Sequence, residues 1–213
     1  MHFISEELEA YVERHSAGEP ALLAKLNRET HQKILHPRML SGHFQGRVLS
    51  LIAKISLPMH ILEIGTYTGY ATLCLAEGLA SGGTIDTLDN NEELLDFQRR
   101  YFDESGMGDQ IFQHLGNALD IIPTLDKMYD LAFIDADKDN YANYFDLIVP
   151  KMNKGGLILS DNVLWSGKIL EAGQPNDKKT IALKAYNEKI NSDARVETVL
   201  LPIRDGLTVS RVI

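Results

Sequence analysis

The chain has 213 residues, of which 44% are apolar, and this length and composition suit one compact domain with a sizeable core. Its net charge of −9 gives no general attraction to nucleic acid or to an anionic membrane, and no apolar run reaches the roughly 18 residues that a membrane helix needs. The single cysteine, Cys74, excludes an intrachain disulfide framework and favours a reducing, cytoplasmic location.

The N-terminal quarter of the chain has helical periodicity. Apolar residues at helical intervals predict helices near 4–15, 20–35 and 43–56. The segment between the last two, "HPRMLSG", contains proline and glycine and is expected to be a loop. Within a single domain of residues 1–213, we assign 1–57 to a helical cap and 58–213 to a sheet that carries the ligand site.

From residue 60 onward, short apolar runs alternate with helical stretches. Strands are expected at 60–65, 84–89, 111–116, 129–135, 156–161, 195–201 and 207–212. Helices are expected at 69–81, 91–105, 140–152 and 177–192, and a short helix is expected to begin at 118. This alternation predicts an α/β fold with a seven-stranded, mostly parallel sheet and helices on both faces. The short turn before the last strand allows only antiparallel pairing, so one antiparallel edge strand is expected.

A glycine-rich turn follows the first expected strand in "ILEIGTYTGYATLCLA" (61–76). The spacing of Gly65 and Gly69 excludes a Walker phosphate loop and is a weak match to the dinucleotide fingerprint. Glu63 would repel a pyrophosphate and suit a cationic group, whereas Asp89 ends the next strand, where nucleotide-binding sheets place an acid on ribose hydroxyls. S-adenosylmethionine has both a ribose and positive charges. A plain tight turn, with Asp89 as a helix cap, is the open alternative.

Carboxylates also end two later strands. Asp135 ends one, and Asp161 and Asn162 end the next, at the sheet edge where α/β folds bind ligands. These oxygen ligands suit Mg²⁺, or another divalent cation such as Ca²⁺ or Mn²⁺, and disfavour zinc. Lys138, beside such a cation and partly desolvated, is expected to have a lowered pKa and to act as a general base. Helix capping is the alternative for each acid taken alone.

The glycine turn and the strand-end acids occur together with three further motifs: "ETHQKILHPRMLSG" upstream, "SDNVLW" at the end of the fifth expected strand and "LPIRDGLTVSRVI" near the end of the sequence. This set of motifs resembles the cation-dependent O-methyltransferases, the family of catechol and caffeoyl-CoA O-methyltransferases and their bacterial relatives. The resemblance covers nearly the whole chain. It implies a Rossmann-like class I methyltransferase fold, S-adenosyl-L-methionine and a divalent cation as cofactors, a small-molecule aromatic diol as acceptor, and a homodimer.

The resemblance also implies a role for each site residue. S-adenosylmethionine would contact Met39, Ser41, Glu63, Gly65, Thr66, Tyr67, Gly69, Ala71, Asp89, Asn90, Gly116, Asn117, Ala118, Asp135 and Asp137. Within that set, Glu63 and Gly65 would hold the methionine part, Asp89 the ribose and Gly116–Ala118 the adenine. The cation would be bound by Asp135, Asp161 and Asn162. The catalytic pair would be Lys138 and Asp135, and the acceptor would contact Met39, Lys138, Trp165 and Ser166.

The chain departs from the family pattern at two cofactor positions. Asn117 stands where the family often has Asp, and Ala71 stands where many relatives have Ser. The basic N-terminal residues that plant relatives use for a CoA phosphate have no clear match, which puts a CoA ester in doubt. A vicinal dihydroxy aromatic is therefore the expected acceptor. Methylation of a hydroxylated uridine in tRNA is the alternative, and an NAD-dependent oxidoreductase is a remote one.

Overall fold

The computed structural model describes residues 5–170 and 177–213, and its strands and helices alternate along the chain from residue 60 to residue 201. The α-helices are α1 (Glu6–Arg14), α2 (Ala21–Lys33), α3 (Gly42–Ser56), α4 (Tyr70–Ala76), α5 (Leu95–Glu104), α6 (Ala118–Ile121), α7 (Tyr141–Ile148) and α8 (Lys178–Ser192). The strands are β1 (His60–Ile64), β2 (Thr84–Asp89), β3 (Ile111–Leu115), β4 (Tyr129–Ile134), β5 (Met152–Asp161), β6 (Val196–Leu201) and β7 (Leu207–Val212).

The strands form one seven-stranded sheet with the order β3-β2-β1-β4-β5-β7-β6. The first five strands pair in parallel, and β7 pairs antiparallel with both β5 and β6. The predicted α/β fold, with a mostly parallel sheet and antiparallel pairing at one edge, is confirmed. The reversed strand is β7, which lies one place in from that edge because β6 takes the outermost position.

Apolar side chains bury both faces of the sheet. On β1, Leu62 and Ile64 pack into a core shared with helices α7 and α8, whereas Ile61 packs into a second core shared with α2 to α5. On β4, Leu131 and Phe133 face the second core while the alternate residues face the first. A strand buried on both faces has no polar side, which explains its continuous apolar sequence.

Several element boundaries differ from the prediction by a few residues, and three of them have a clear local setting. Helix α4 ends at Ala76, not at 81, because Gly78 packs directly against the backbone of Ala53 in α3, where a Cβ would clash. Helix α7 ends at Ile148 and a 3₁₀ turn follows, since Pro150 lacks the N–H that would continue the helix. Strand β5 therefore begins at Met152, at the end of the stretch expected to be helical.

The long loop after β5 is partly regular. Its residues 165–170 form 3₁₀ turns joined by left-handed Ser166 and Gly167. Residues 171–176, between this segment and α8, lie outside the described residues. Within the two described ranges, no helix is both long enough and apolar enough to cross a membrane.

Candidate active site

A cleft of about 1000 Å³ opens at the carboxyl ends of β1, β2, β4 and β5. This is the edge at which open α/β sheets bind ligands. Most of the predicted site residues line the cleft: Met39, Ser41, Gly65, Thr66, Tyr67, Ala71, Asp89, Asn90, Gly116, Asn117, Ala118, Asp135, Asp137, Lys138, Asp161, Asn162 and Trp165. Glu63, Gly69 and Ser166 lie outside the part of its wall that the structure describes.

The turn after β1 needs glycine because β4 ends against it. The Asp135 N–H donates to the Ile64 carbonyl over 2.9 Å, so the two strand ends are in contact. Gly65 has φ +102°, and a Cβ there would overlap the Asp135 carbonyl. Gly69 has φ +86° and packs on the Phe102 ring beneath the turn. This position explains why Gly69 does not line the cleft. The glycines therefore let the backbone turn tightly at the floor of the cleft.

Gly65→Ala is expected to lower the free energy of unfolding by about 2–5 kcal/mol, since it adds a steric clash to an unfavourable φ. It should also abolish binding of S-adenosylhomocysteine (SAH), because the cleft floor must move. Gly82→Ala is the matched control: Gly82 has φ +78° but nothing lies within 4 Å of its added Cβ. The control should cost only about 1–2 kcal/mol. For both variants, urea denaturation measures the free energy of unfolding and calorimetry measures SAH binding. Equal losses in Gly65→Ala and Gly82→Ala would contradict the steric account.

Asp89 is held in place by the backbone of two turns. Its Oδ2 accepts from the Tyr67 N–H over 2.7 Å, and its Oδ1 accepts from the Asn91 N–H over 2.9 Å. Tyr67 in turn donates its hydroxyl to the Leu35 and His36 carbonyls of the upstream loop, each over 3.2 Å. A carboxylate has about four acceptor positions, so Asp89 can still accept from two vicinal hydroxyls in the cleft.

Residues 116–118 lie next to Asp89. The Gly116 N–H donates to the Asp89 carbonyl over 2.9 Å, and Gly116 has φ +141°. Asn117 caps α6, and its side-chain oxygen accepts from the Leu119 N–H over 3.1 Å. That oxygen keeps one further acceptor position, so an amino group in the cleft can still bind it.

Glu63 has an environment that the sequence argument did not foresee. The side chain is completely buried behind the turn, where Thr72 and Thr87 donate to its Oε2, the latter over 2.5 Å. Its Oε1 has no hydrogen-bond partner among the described residues. Burial raises the pKa of Glu63 from 4.5 to about 8, so the group is largely neutral at pH 7. The structure therefore buries the Glu63 side chain behind the turn, and its contact with the cofactor stays a prediction.

A protonated Glu63 makes the stability of the fold depend on pH. Because the folded-state pKa of about 8 exceeds the ordinary 4.5, the free energy of unfolding should fall as pH rises between those values. The fall is on the order of a few kcal/mol. Glu63→Gln mimics the protonated side chain, so it should match the wild type near pH 4.5 and be more stable above pH 8. Urea denaturation across this pH range tests the prediction, with Glu197→Gln at an exposed position as the control. The prediction would be contradicted if the free energy of unfolding had the same pH dependence in the wild type and in Glu63→Gln.

The side chains of Asp135 and Asp161 line the same cleft, at the ends of β4 and β5. Asp161 is almost fully buried, and burial, together with the charge of Asp135, raises its pKa to about 7. Asn162 follows with φ +57°, and its side-chain amide has no hydrogen-bond partner in the described part of the chain. Among residues 5–170 and 177–213, no group of three or more His, Cys, Asp or Glu could hold a metal ion. A cation here would therefore need the Asn162 oxygen, and two carboxylates with one amide fit Mg²⁺.

Lys138 lies at the same end of the cleft. It is only 8% exposed, and its Nζ donates to Asp135 Oδ1 over 3.0 Å and to the Tyr141 hydroxyl over 2.7 Å. Tyr141 is fully buried and donates to the Asp161 carbonyl over 3.0 Å. Sequence reasoning missed Tyr141, although its position three residues after Lys138, one helical turn away, was a usable signal.

Two further residues that sequence reasoning missed hold Asp161. The Gln45 amide donates from Nε2 to Asp161 Oδ2 over 2.6 Å, and Arg204 donates from Nη1 to Gln45 Oε1 over 2.9 Å. Asp205 accepts from the Ser166 N–H, so the β6–β7 turn also holds the loop that carries Trp165. Ser166 is fixed there by its backbone and does not line the described cleft.

The Asp137 side chain accepts hydrogen bonds from two nearby residues. Its two carboxylate oxygens accept from the Tyr144 hydroxyl and from the Asn140 side-chain amide, the latter over 2.5 Å. The side chain is exposed at the cleft edge, where it still has free acceptor positions.

Comparisons with known proteins place the chain in a family. The sequence model of a family described as O-methyltransferase matches residues 13–213. The caffeoyl-CoA O-methyltransferase 2 of Zea mays is 35% identical over 184 residues, covering 81% of this chain and 70% of that protein.

Two solved structures superpose on nearly the whole fold. The SAH-bound methyltransferase PaMTH1 of Podospora anserina is 30% identical with a TM-score of 0.89, over 99% of this chain and 97% of that one. The O-methyltransferase of Bacillus cereus in complex with SAH is 29% identical with a TM-score of 0.90, over 97% of both chains. The resemblance seen in the sequence motifs is confirmed, and the chain belongs to the O-methyltransferase family.

Proposed function

We propose that this O-methyltransferase transfers the methyl group of S-adenosylmethionine to one hydroxyl of a vicinal dihydroxy aromatic molecule, with a divalent cation bound by Asp135, Asp161 and Asn162. The observation that supports the proposal is that these three residues line one cleft together with Lys138, Gly65 and Asp89, with Lys138 Nζ 3.0 Å from Asp135 Oδ1. Mg²⁺ is the proposed cation, because all three ligands are hard oxygens.

The cofactor half of the cleft suits an adenosine with a positively charged methionine. Asp89 offers acceptor positions for ribose hydroxyls, and Asn117 offers one for an amino group. Asp135 and Asp137 keep negative charge near the turn, which favours a sulfonium and an ammonium over a pyrophosphate. SAH in the Podospora anserina and Bacillus cereus structures supports the same cofactor.

At the acceptor end, a bound divalent cation would favour the phenolate form of a chelated diol and fix the direction of its oxygen. Asp135 and Asp161 would offset the positive charge of that cation, and Asn162 would be its third protein ligand. Lys138 Nζ, once neutral, takes the proton from the reacting hydroxyl, while Asp135 and Tyr141 keep it aimed at that point. Holding the oxygen in line with the methyl group supplies a further share of the acceleration.

Chelation predicts a preference between acceptors. Methyl transfer from labelled S-adenosylmethionine should be at least about 100-fold faster to catechol than to phenol, because a lone hydroxyl loses the chelate that stabilises its anion. Caffeate, caffeoyl-CoA and flavonoids extend the panel to larger diols. Equal rates on catechol and phenol would contradict the chelation proposal.

Undermodified tRNA belongs in the same panel, as the macromolecular alternative. Transfer to tRNA that weakens steeply with salt, without transfer to any small diol, would replace the small-molecule proposal. The homodimer and the cytoplasmic location stay predictions; sedimentation measures the first and cell fractionation the second.

A further inference from the structure

We propose that Gln45 and Arg204 are positioning residues that set the orientation of the Asp161 carboxylate and thereby the affinity of the site for a divalent cation. The inference rests on the proposed cation site. It concerns two residues from opposite ends of the chain, one on α3 and one in the turn between β6 and β7.

The Asp161 carboxylate has one fixed donor on each oxygen. Oδ1 accepts from the Asn162 N–H over 2.8 Å, and Oδ2 accepts from Gln45 Nε2 over 2.6 Å. Two donors on different oxygens prevent rotation of the carboxylate and leave its other lone pairs for a ligand. Gln45 is only 1% exposed, so water does not replace its amide group.

Arg204 determines which way the Gln45 amide points. A guanidinium only donates, so the atom of Gln45 that faces it must be the oxygen, 2.9 Å from Nη1. The NH₂ group then faces Asp161. Without Arg204, the Gln45 oxygen would lose its donor, and Asp161 alone would hold the amide in place.

The backbone of Arg204 also indicates a specific role. Arg204 has φ +48°, a left-handed conformation that costs energy for most residues other than glycine. The same Nη1 also donates to the Ser41 carbonyl. The Arg204 guanidinium therefore contacts the loop that carries Ser41, and through Gln45 it is also linked to Asp161.

The direction in which cation affinity changes when Arg204 is removed distinguishes a positioning role from a purely electrostatic one. If Arg204 acted only through its charge, removing it would strengthen cation binding, because one repulsive positive charge would be lost. If it positions Asp161, removing it should weaken cation binding despite that gain. Loss of a residue that orients a metal ligand typically costs 10–100-fold in affinity, so about that loss is expected.

The test measures Mn²⁺ binding by electron paramagnetic resonance for the wild type, Gln45→Met, Arg204→Gly and Arg204→Lys. Arg204→Gly suits the left-handed turn, so its thermal midpoint should not fall. Arg204→Lys keeps a donor and should recover part of the affinity. Gln32→Met, at an exposed position of α2, is the control for the glutamine change. SAH binding, measured by calorimetry, should be unchanged in Gln45→Met if the cofactor half of the cleft is intact.

Weaker Mn²⁺ binding by Gln45→Met and Arg204→Gly, with unchanged thermal midpoints, supports the proposal. Wild-type affinity in Gln45→Met, or equal or tighter binding in Arg204→Gly, overturns it while leaving the cation site in place. No Mn²⁺ binding by the wild type overturns the proposed cation site and this inference together.

Discussion

Asp161→Ala is expected to abolish binding of a divalent cation and to reduce methyl transfer by roughly 100-fold or more. Charge stabilisation by a bound metal is worth several kcal/mol, and about 1.4 kcal/mol corresponds to a factor of ten in rate. SAH should still bind, because Asp89 and the glycine turn do not depend on the Asp161 side chain. Radiolabelled methyl transfer and calorimetry measure the two effects separately.

Asp139→Ala is the matched control for that change. Asp139 is an exposed carboxylate on the loop that follows β4, and its loss should leave both cation binding and turnover near wild-type values. Wild-type turnover by Asp161→Ala in a buffer that contains EDTA would show that neither the residue nor a cation is needed.

Lys138→Met is expected to lower kcat by about 10²–10⁴, the usual contribution of a general base. The cation should still bind, since the change removes a positive charge that competes for Asp135. The pH–rate profile should differ between the wild type and the variant, because the variant lacks the group that takes the proton. In the variant the profile should follow ionisation of the acceptor alone.

The control for Lys138→Met is Lys154→Met at an exposed position. It removes the same charge far from the strand ends that form the cleft and should leave the pH–rate profile unchanged. A kcat of Lys138→Met within a few-fold of the wild type, with an unaltered pH profile, would mean that another group takes the proton.

Local sequence predicted the sheet and most of the site for an identifiable reason. A strand covered on both faces is apolar throughout, so β4 and β5 are recognisable, and the polar residues that follow them must lie at the ligand-binding edge. Asp89, Asp135 and Asp161 could be located in this way from the order of residues alone. The glycine turn was equally readable, because Gly65 and Gly69 both need positive φ.

What the sequence could not predict depends on contacts between distant segments. Gln45 is 116 residues from Asp161, and Arg204 is 159 residues from Gln45, so no local pattern relates them. Glu63 shows a second limit: its position was evident, but its burial beneath Thr72 and Thr87 depends on how α4 and β2 pack. The shortened α4 has a similar cause, since Gly78 meets α3 only in the folded chain.

Cation-dependent methyl transfer to a vicinal diol is the central claim, and one assay tests it directly. The purified enzyme is incubated with labelled S-adenosylmethionine and catechol in EDTA, and excess Mg²⁺ is then added. The account predicts no transfer above background in EDTA and full transfer once Mg²⁺ is present. Equal transfer before and after the addition would contradict the roles given to Asp135, Asp161 and Asn162.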